Sequence, residues 1–225
     1  MRVVRLLIQA LGQTLGLAVG IAIFPVPIIA VILMLFSPAA GRNAGSFLAG
    51  WMLGLAAVAF LALVVGIGSD GGDRSGDVAR LIIGALLVFL GARKWIGRSR
   101  SGGQADMPAW MSVVDEFSAP RAFALGIALA ALNPKNFGLT VAAVVSIGSA
   151  GLGPTQEIAT VIIFVLLASA GVLAPVLAYL FARERVEPGL DSAREWLVEN
   201  NSTVMTVLLF VLGAVLLGDG IAGLA

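Results

Sequence analysis

The stretch "ALNPKNFGLT", residues 131–140, sets two asparagines, a proline and a lysine inside a run that is otherwise mostly apolar from Ala122 to Ile147. Pro134 has no backbone N–H and clashes with the preceding turn, so it releases carbonyls that hydrocarbon cannot satisfy. Lys135 at a bilayer centre costs about 2.5–3.5 kcal/mol on translocon scales, so it needs a cavity or a partner. Asn133 and Asn136 put amide donors and acceptors beside the released backbone. Two readings follow: a polar site at mid-membrane depth, or a kinked helix whose lysine snorkels or pairs internally.

The rest of the chain decides that a bilayer is the solvent. Of its 225 residues, 59% are hydrophobic and 12% charged, about half the charged share of a soluble domain. Mean hydropathy is +1.02. Runs of about 20 apolar residues mark spanning helices. They fall at Leu11–Phe36, Ser46–Ile67, Val78–Ile96, Arg121–Ile147, Ile158–Phe181 and Ser202–Ile221. The third is the weakest, with Arg80, Arg93 and Lys94 left to snorkel. The opening "MRVVRLL" begins the first span and is not read as a cleaved leader, because the apolar run continues to Phe36.

Arginine and lysine concentrate in the odd-numbered loops, at Arg42, at Arg93 through Arg121, and at Arg183 through Arg194. By the positive-inside rule those loops are cytoplasmic and both termini lie outside. "DMPAWMSVVDEF" and "EPGLDSAREWLVENN" carry apolar residues at helical spacing, including Trp110, Trp196 and Leu197. They read as short cytoplasmic helices, either lying in the interface or capping the bundle. Trp51 and Trp110 are expected as interfacial anchors. Gly12, Gly16 and Gly20, with Gly50 and Gly54, are spaced for close helix packing.

The halves also echo each other. "GIAIFPVPIIAVIL" in the first span and "GIALAALNPKNFGL" in the fourth share Gly-Ile-Ala, and each then meets proline: Pro25 and Pro27 in one, Pro134 in the other. Three crossings separate them, an odd number that reverses orientation. The expected architecture is an all-α membrane protein of six transmembrane helices arranged as two inverted three-helix repeats, residues 1–97 and 121–225, joined by a cytoplasmic loop over 98–120. Paired breaks point to a substrate site at mid-membrane formed by Lys135, Asn133, Asn136, Pro134, Pro25 and Pro27. Arg42, Asn43, Gln13 and Thr140 are expected in support.

These residues resemble a known family. "MPAWMSVVDEFSAPRAFALGIALAALNPKNFGLTVAA", "FPVPIIAVILMLFSPAAGRNAGSFLAGWMLG" and "REWLVENNSTVMTVLLFVLGAVLLGDGI" are similar to the GAP family, the glycopeptidolipid- or sulfolipid-addressing proteins of actinobacterial envelopes, placed in the lysine exporter (LysE) superfamily. The resemblance covers most of the chain. It implies six helices in the bacterial inner membrane and participation in moving envelope glycolipids or other amphipathic solutes. Ser37, Pro38, Arg42 and Asn43 belong to the matching pattern, as do Pro25, Pro27 and residues 133–136.

Composition removes several functions. Neither cysteine nor histidine occurs, which excludes thiol redox chemistry and imidazole acid–base work. No "GxxxxGK" loop offers a nucleotide site, no basic stripe offers a nucleic-acid surface, and no serine–lysine pair or acid cluster suggests an enzyme. No cofactor or metal is expected. The readings that remain are a lipid transporter, an exporter of small polar solutes, or an accessory subunit of a lipid-export machine. A homodimer is compatible with each.

Overall fold

The computed structural model describes residues 2–65, 74–98 and 117–224. Eight α-helices account for nearly all of them: α1 (Arg2–Ala22), α2 (Pro25–Phe36), α3 (Ala40–Val64), α4 (Arg74–Arg98), α5 (Ala119–Ala131), α6 (Pro134–Gly148), α7 (Pro154–Ala168) and α8 (Ala170–Leu224). The tryptophan segment around Trp110 and most of the glycine-rich stretch before α4 lie outside the described residues.

Proline writes the element boundaries. Pro25, Pro134 and Pro154 each open a helix. A missing N–H costs nothing there, because the first helical donors have no intrahelical partner. The preceding residue is pushed into extended backbone, which Phe24 (φ −67°, ψ 117°) and Asn133 (φ −76°, ψ 118°) adopt almost identically. The apolar runs Leu11–Phe36 and Arg121–Ile147 are therefore each two helices. The second pair, α5 and α6, bends by 62°.

Among the described residues three helices are long and apolar enough to cross a membrane: Arg5–Ala22, Ala40–Val64 and Ala170–Leu224. A fourth is added if the bent pair α5–α6 counts as one span. Several such helices make this a multi-pass membrane protein. Among the described residues α4 is not one of them. α7 runs almost into α8, with only Ser169 between them. The kink in α8 falls at Ala182 (φ −150°, ψ 42°). The segment carrying Trp196 is thus continuous with the last apolar stretch, with Trp196 exposed and Leu190 and Leu197 half-buried.

The core runs along α2, α3 and α6, where Phe47, Trp51, Met34 and Ile147 are fully buried. Trp51 corrects the expectation of an interfacial anchor. It has no exposed surface, because the close approach of α3 and α5 encloses it. Glycine makes that approach possible. A Cβ at Gly50 would run into the Phe123 backbone, and one at Gly126 into Phe47 O and Trp51 N. α4 and α8 meet in the same manner, with a Cβ at Gly84 lying 2.8 Å from Leu217 N. By contrast, a Cβ at Gly12 or Gly16 would meet no neighbouring helix within 4 Å.

Gly50→Leu and Gly126→Leu should therefore force α3 from α5 and destabilise the protein by at least about 1–3 kcal/mol. Gly16→Ala should change stability by less than about 1 kcal/mol, its helix-propensity gain meeting no clash. Thermal unfolding of the purified variants in detergent separates the two classes.

Candidate functional site

At the first break the backbone bonds are rearranged. Ile23 N still donates to Val19 O (3.0 Å), but Phe24 N turns to Ile21 O (3.2 Å), and Pro25 has no N–H to give. Gly20 O, which Phe24 N would satisfy in a continuous helix, is left for another donor. The Lys135 ammonium supplies it, with Nζ 2.8 Å from Gly20 O. Nζ also lies 4.3 Å from the centroid of the Phe24 ring. Lys135 is 2% exposed, and no carboxylate pairs with it among the described residues.

The contact suits the electrostatics of both helices. Gly20 lies in the last turn of α1, where carbonyls give a partial negative charge that favours a cation. A charge-assisted hydrogen bond contributes about 1.5–3 kcal/mol, and a desolvated cation–π contact about 2 kcal/mol. Together they offset much of the cost of placing an ammonium in the interior. The second break is closed locally. Asn133 caps α6, its Oδ1 accepting from Lys135 N at 3.0 Å, and Asn136 Nδ2 donates to Leu129 O at 3.0 Å.

The other expected residues divide by place. Pro25 and Pro27 are buried beside the Phe24 turn, whereas Pro134 is exposed. Thr140 lies one turn beyond Asn136 and is fully buried. Asn136 Oδ1 and Thr140 Oγ1 have no hydrogen-bond partner among the described residues. Asn43 donates to Phe117 O at 2.6 Å. Arg42 is exposed near Tyr179 and Arg183, away from Lys135. Gln13 belongs to a different feature, an open cleft of about 720 Å³ between α1 and α8.

That cleft passes Gly20 on the face that Leu212 approaches. None of residues 133–136 lines it. Arg80, Ser146 and Asp219 do, and sequence reasoning did not join them. Arg80 and Asp219 look like the charged ends of separate spans, and only the packing of α4 and α8 brings them to one place.

With this geometry in place, comparison with known families is decisive for membership. The family model for Sap, the sulfolipid-1-addressing protein, matches residues 14–222. The chain belongs to this family. The match takes in both helix breaks, Lys135 and the cleft-lining part of α8. No curated protein and no solved structure matches.

Replacing Lys135 by methionine keeps much of its length and removes the donor. Gly20 O is then left unpaired in the interior, and stability should fall by about 1–3 kcal/mol. A lowered thermal midpoint for Lys135→Met in detergent would show it, while an unchanged midpoint would mean that the bond contributes nothing net.

Proposed function

We propose that this protein takes part in translocating cell-envelope lipids, glycolipids in particular, or other amphipathic solutes, as a transporter whose two broken runs form the moving site. The observation that carries this reading is the buried bond from Lys135 to Gly20 O, which ties one helix break to the other. Membership of a family named for addressing a sulfolipid supports the lipid class of cargo. It also favours membrane addressing over catalysis.

The proposed architecture is six crossings in two inverted halves, with the LysE-type arrangement, residence in the bacterial inner membrane, and both termini outside. Several observations support it. Phe24 and Asn133 share one backbone geometry, each followed by a proline that opens a helix. Gly50 and Gly54 of α3 pack against α5, the first part of one broken run, and Gly171 packs against Ala22 at the end of α1, the first part of the other. Such correspondence is expected of halves related by a two-fold axis in the membrane plane.

In the conformation described, the ammonium is satisfied by the protein itself. A polar or anionic headgroup entering between the breaks would take the place of Gly20 O, with Asn133 and Asn136 beside it, and so loosen the link between the halves. Thr140, one turn beyond Asn136 with its hydroxyl unpartnered among the described residues, would act in support. Lys135 is then both latch and headgroup contact. A partner lipid-export machine or a second copy of the chain is compatible with this role.

Purified full-length protein in phosphatidylcholine vesicles, assayed for transbilayer movement of a fluorescent glycolipid, tests the proposal. The wild type should accelerate movement. Lys135→Ala should slow it about tenfold, the loss of one charge-assisted contact in the rate-limiting state. No lipid movement by the wild type would favour an accessory subunit. Uptake of a soluble amino acid without lipid movement would favour a small-solute exporter, and full activity of Lys135→Ala would remove the headgroup role.

A further inference from the structure

The cleft between α1 and α8 has the form of a single amphiphile. Along most of its length the wall is apolar, with Leu17, Val19 and Ile23 facing Leu208, Val211 and Val215. At one end it gathers Gln13, Arg80, Ser146 and Asp219. Helix packing explains the polarity. Gly220 meets Asp77 and Arg80 donates to Ser149, which brings Asp219, Arg80 and Ser146 to one end. Leu212 meets Gly20, and the lining that runs from that contact to Gln13 on α1 and to Asp219 on α8 sets Gln13 at the same end, with Ile23 and Leu208 toward the other.

Size and position select the occupant. The volume, about 720 Å³, is within the roughly 300–1,000 Å³ of small-molecule sites. α1 and α8 are two of the helices apolar enough to span a membrane, so in a bilayer acyl chains would lie against the open side of the cleft. Gly16 adds room, since a Cβ built there would meet no neighbouring helix within 4 Å.

Charge selects the headgroup. Arg80 is already held by Asp77 at 2.6 Å and donates its other nitrogen to Ser149 Oγ at 3.2 Å. Asp219 has no ion-pair partner among the described residues. One guanidinium against two carboxylates leaves the polar end net negative, which repels an anionic headgroup. A carboxylate and an amide lining the same cleft, with the Ser146 hydroxyl already donating to Ala142 O at 3.1 Å and so left to accept, instead suit a neutral group that both donates and accepts hydrogen bonds.

We infer that the α1–α8 cleft binds a membrane lipid with a neutral, hydroxyl-rich headgroup, its chain lying along Gly16–Ile23 and its headgroup against Asp219 and Gln13. The inference rests on the lipid reading above but needs no transport.

Full-length protein is reconstituted in phosphatidylcholine vesicles with a trace of glucosyl-diacylglycerol bearing a mid-chain diazirine, or with the matched phosphatidylglycerol probe. After illumination, label from the glucosyl lipid should concentrate on the Val211–Val215 peptide. It should be sparse at Phe60 and Leu61, which are exposed away from the cleft, and should exceed the phosphatidylglycerol label by about three- to tenfold, the discrimination of one good hydrogen bond. Asp219→Asn should abolish the headgroup preference while retaining chain labelling, and Gly16→Leu should reduce labelling by both probes.

Equal label at Phe60 and Leu61, no headgroup preference, or preference for phosphatidylglycerol overturns the inference. So does efficient disulfide formation between copies of a Val215→Cys variant, available because the chain has no cysteine, since a second copy would then cover the cleft. Binding without lipid movement upholds the cleft and refutes transport. Lipid movement without cleft labelling does the reverse.

Discussion

A carbonyl released by a helix break has no water to turn to inside a membrane, and the arrangement of this protein follows from that constraint. Pro25 ends the regular bonding of α1, and the Phe24 amide turns to Ile21. Gly20 O is then satisfied by a side chain more than a hundred residues away in sequence, that of Lys135. The lysine gains as much as the carbonyl does. Its ammonium is tolerable in the interior because a helix C-terminus and an aromatic face receive it.

Close packing is the second condition. Gly50, Gly54 and Gly126 let α3 and α5 touch backbone to backbone, and Gly84 and Gly213 do so for α4 and α8. Without a hydrophobic driving force between helices in lipid, such contact is a main source of association. It also shapes the remaining surface. Gly16 is not used for packing, and its side of α1 becomes one wall of the cleft that α8 completes. Membership of the sulfolipid-1-addressing family sets a lipid-related membrane role beside a molecule with two hydrogen-bonded helix breaks and an open cleft between α1 and α8.

Local chemistry carried far in the sequence. The apolar runs, the breaks at Pro25 and Pro134, and the burial demanded by Lys135 all rest on short-range rules, chiefly apolar length and the missing N–H of proline. Trp51 shows where those rules stop. An indole suits an interface in general, but its burial depends on glycines contributed by another helix. Likewise, Leu190 through Leu197 has the pattern of a separate short helix, yet the backbone between it and the final apolar stretch meets no proline or glycine able to end it.

What the sequence by itself determined is the solvent and the places where helices must break, because both depend on composition and on covalent features of single residues. Only the tertiary structure decided what those features meet: that Lys135 is answered by Gly20 O across the two breaks, and that Arg80, Asp219 and Gln13 share one end of a cleft. Those meetings depend on how closely helices far apart in sequence can approach. That distance is set by packing, which no local pattern encodes.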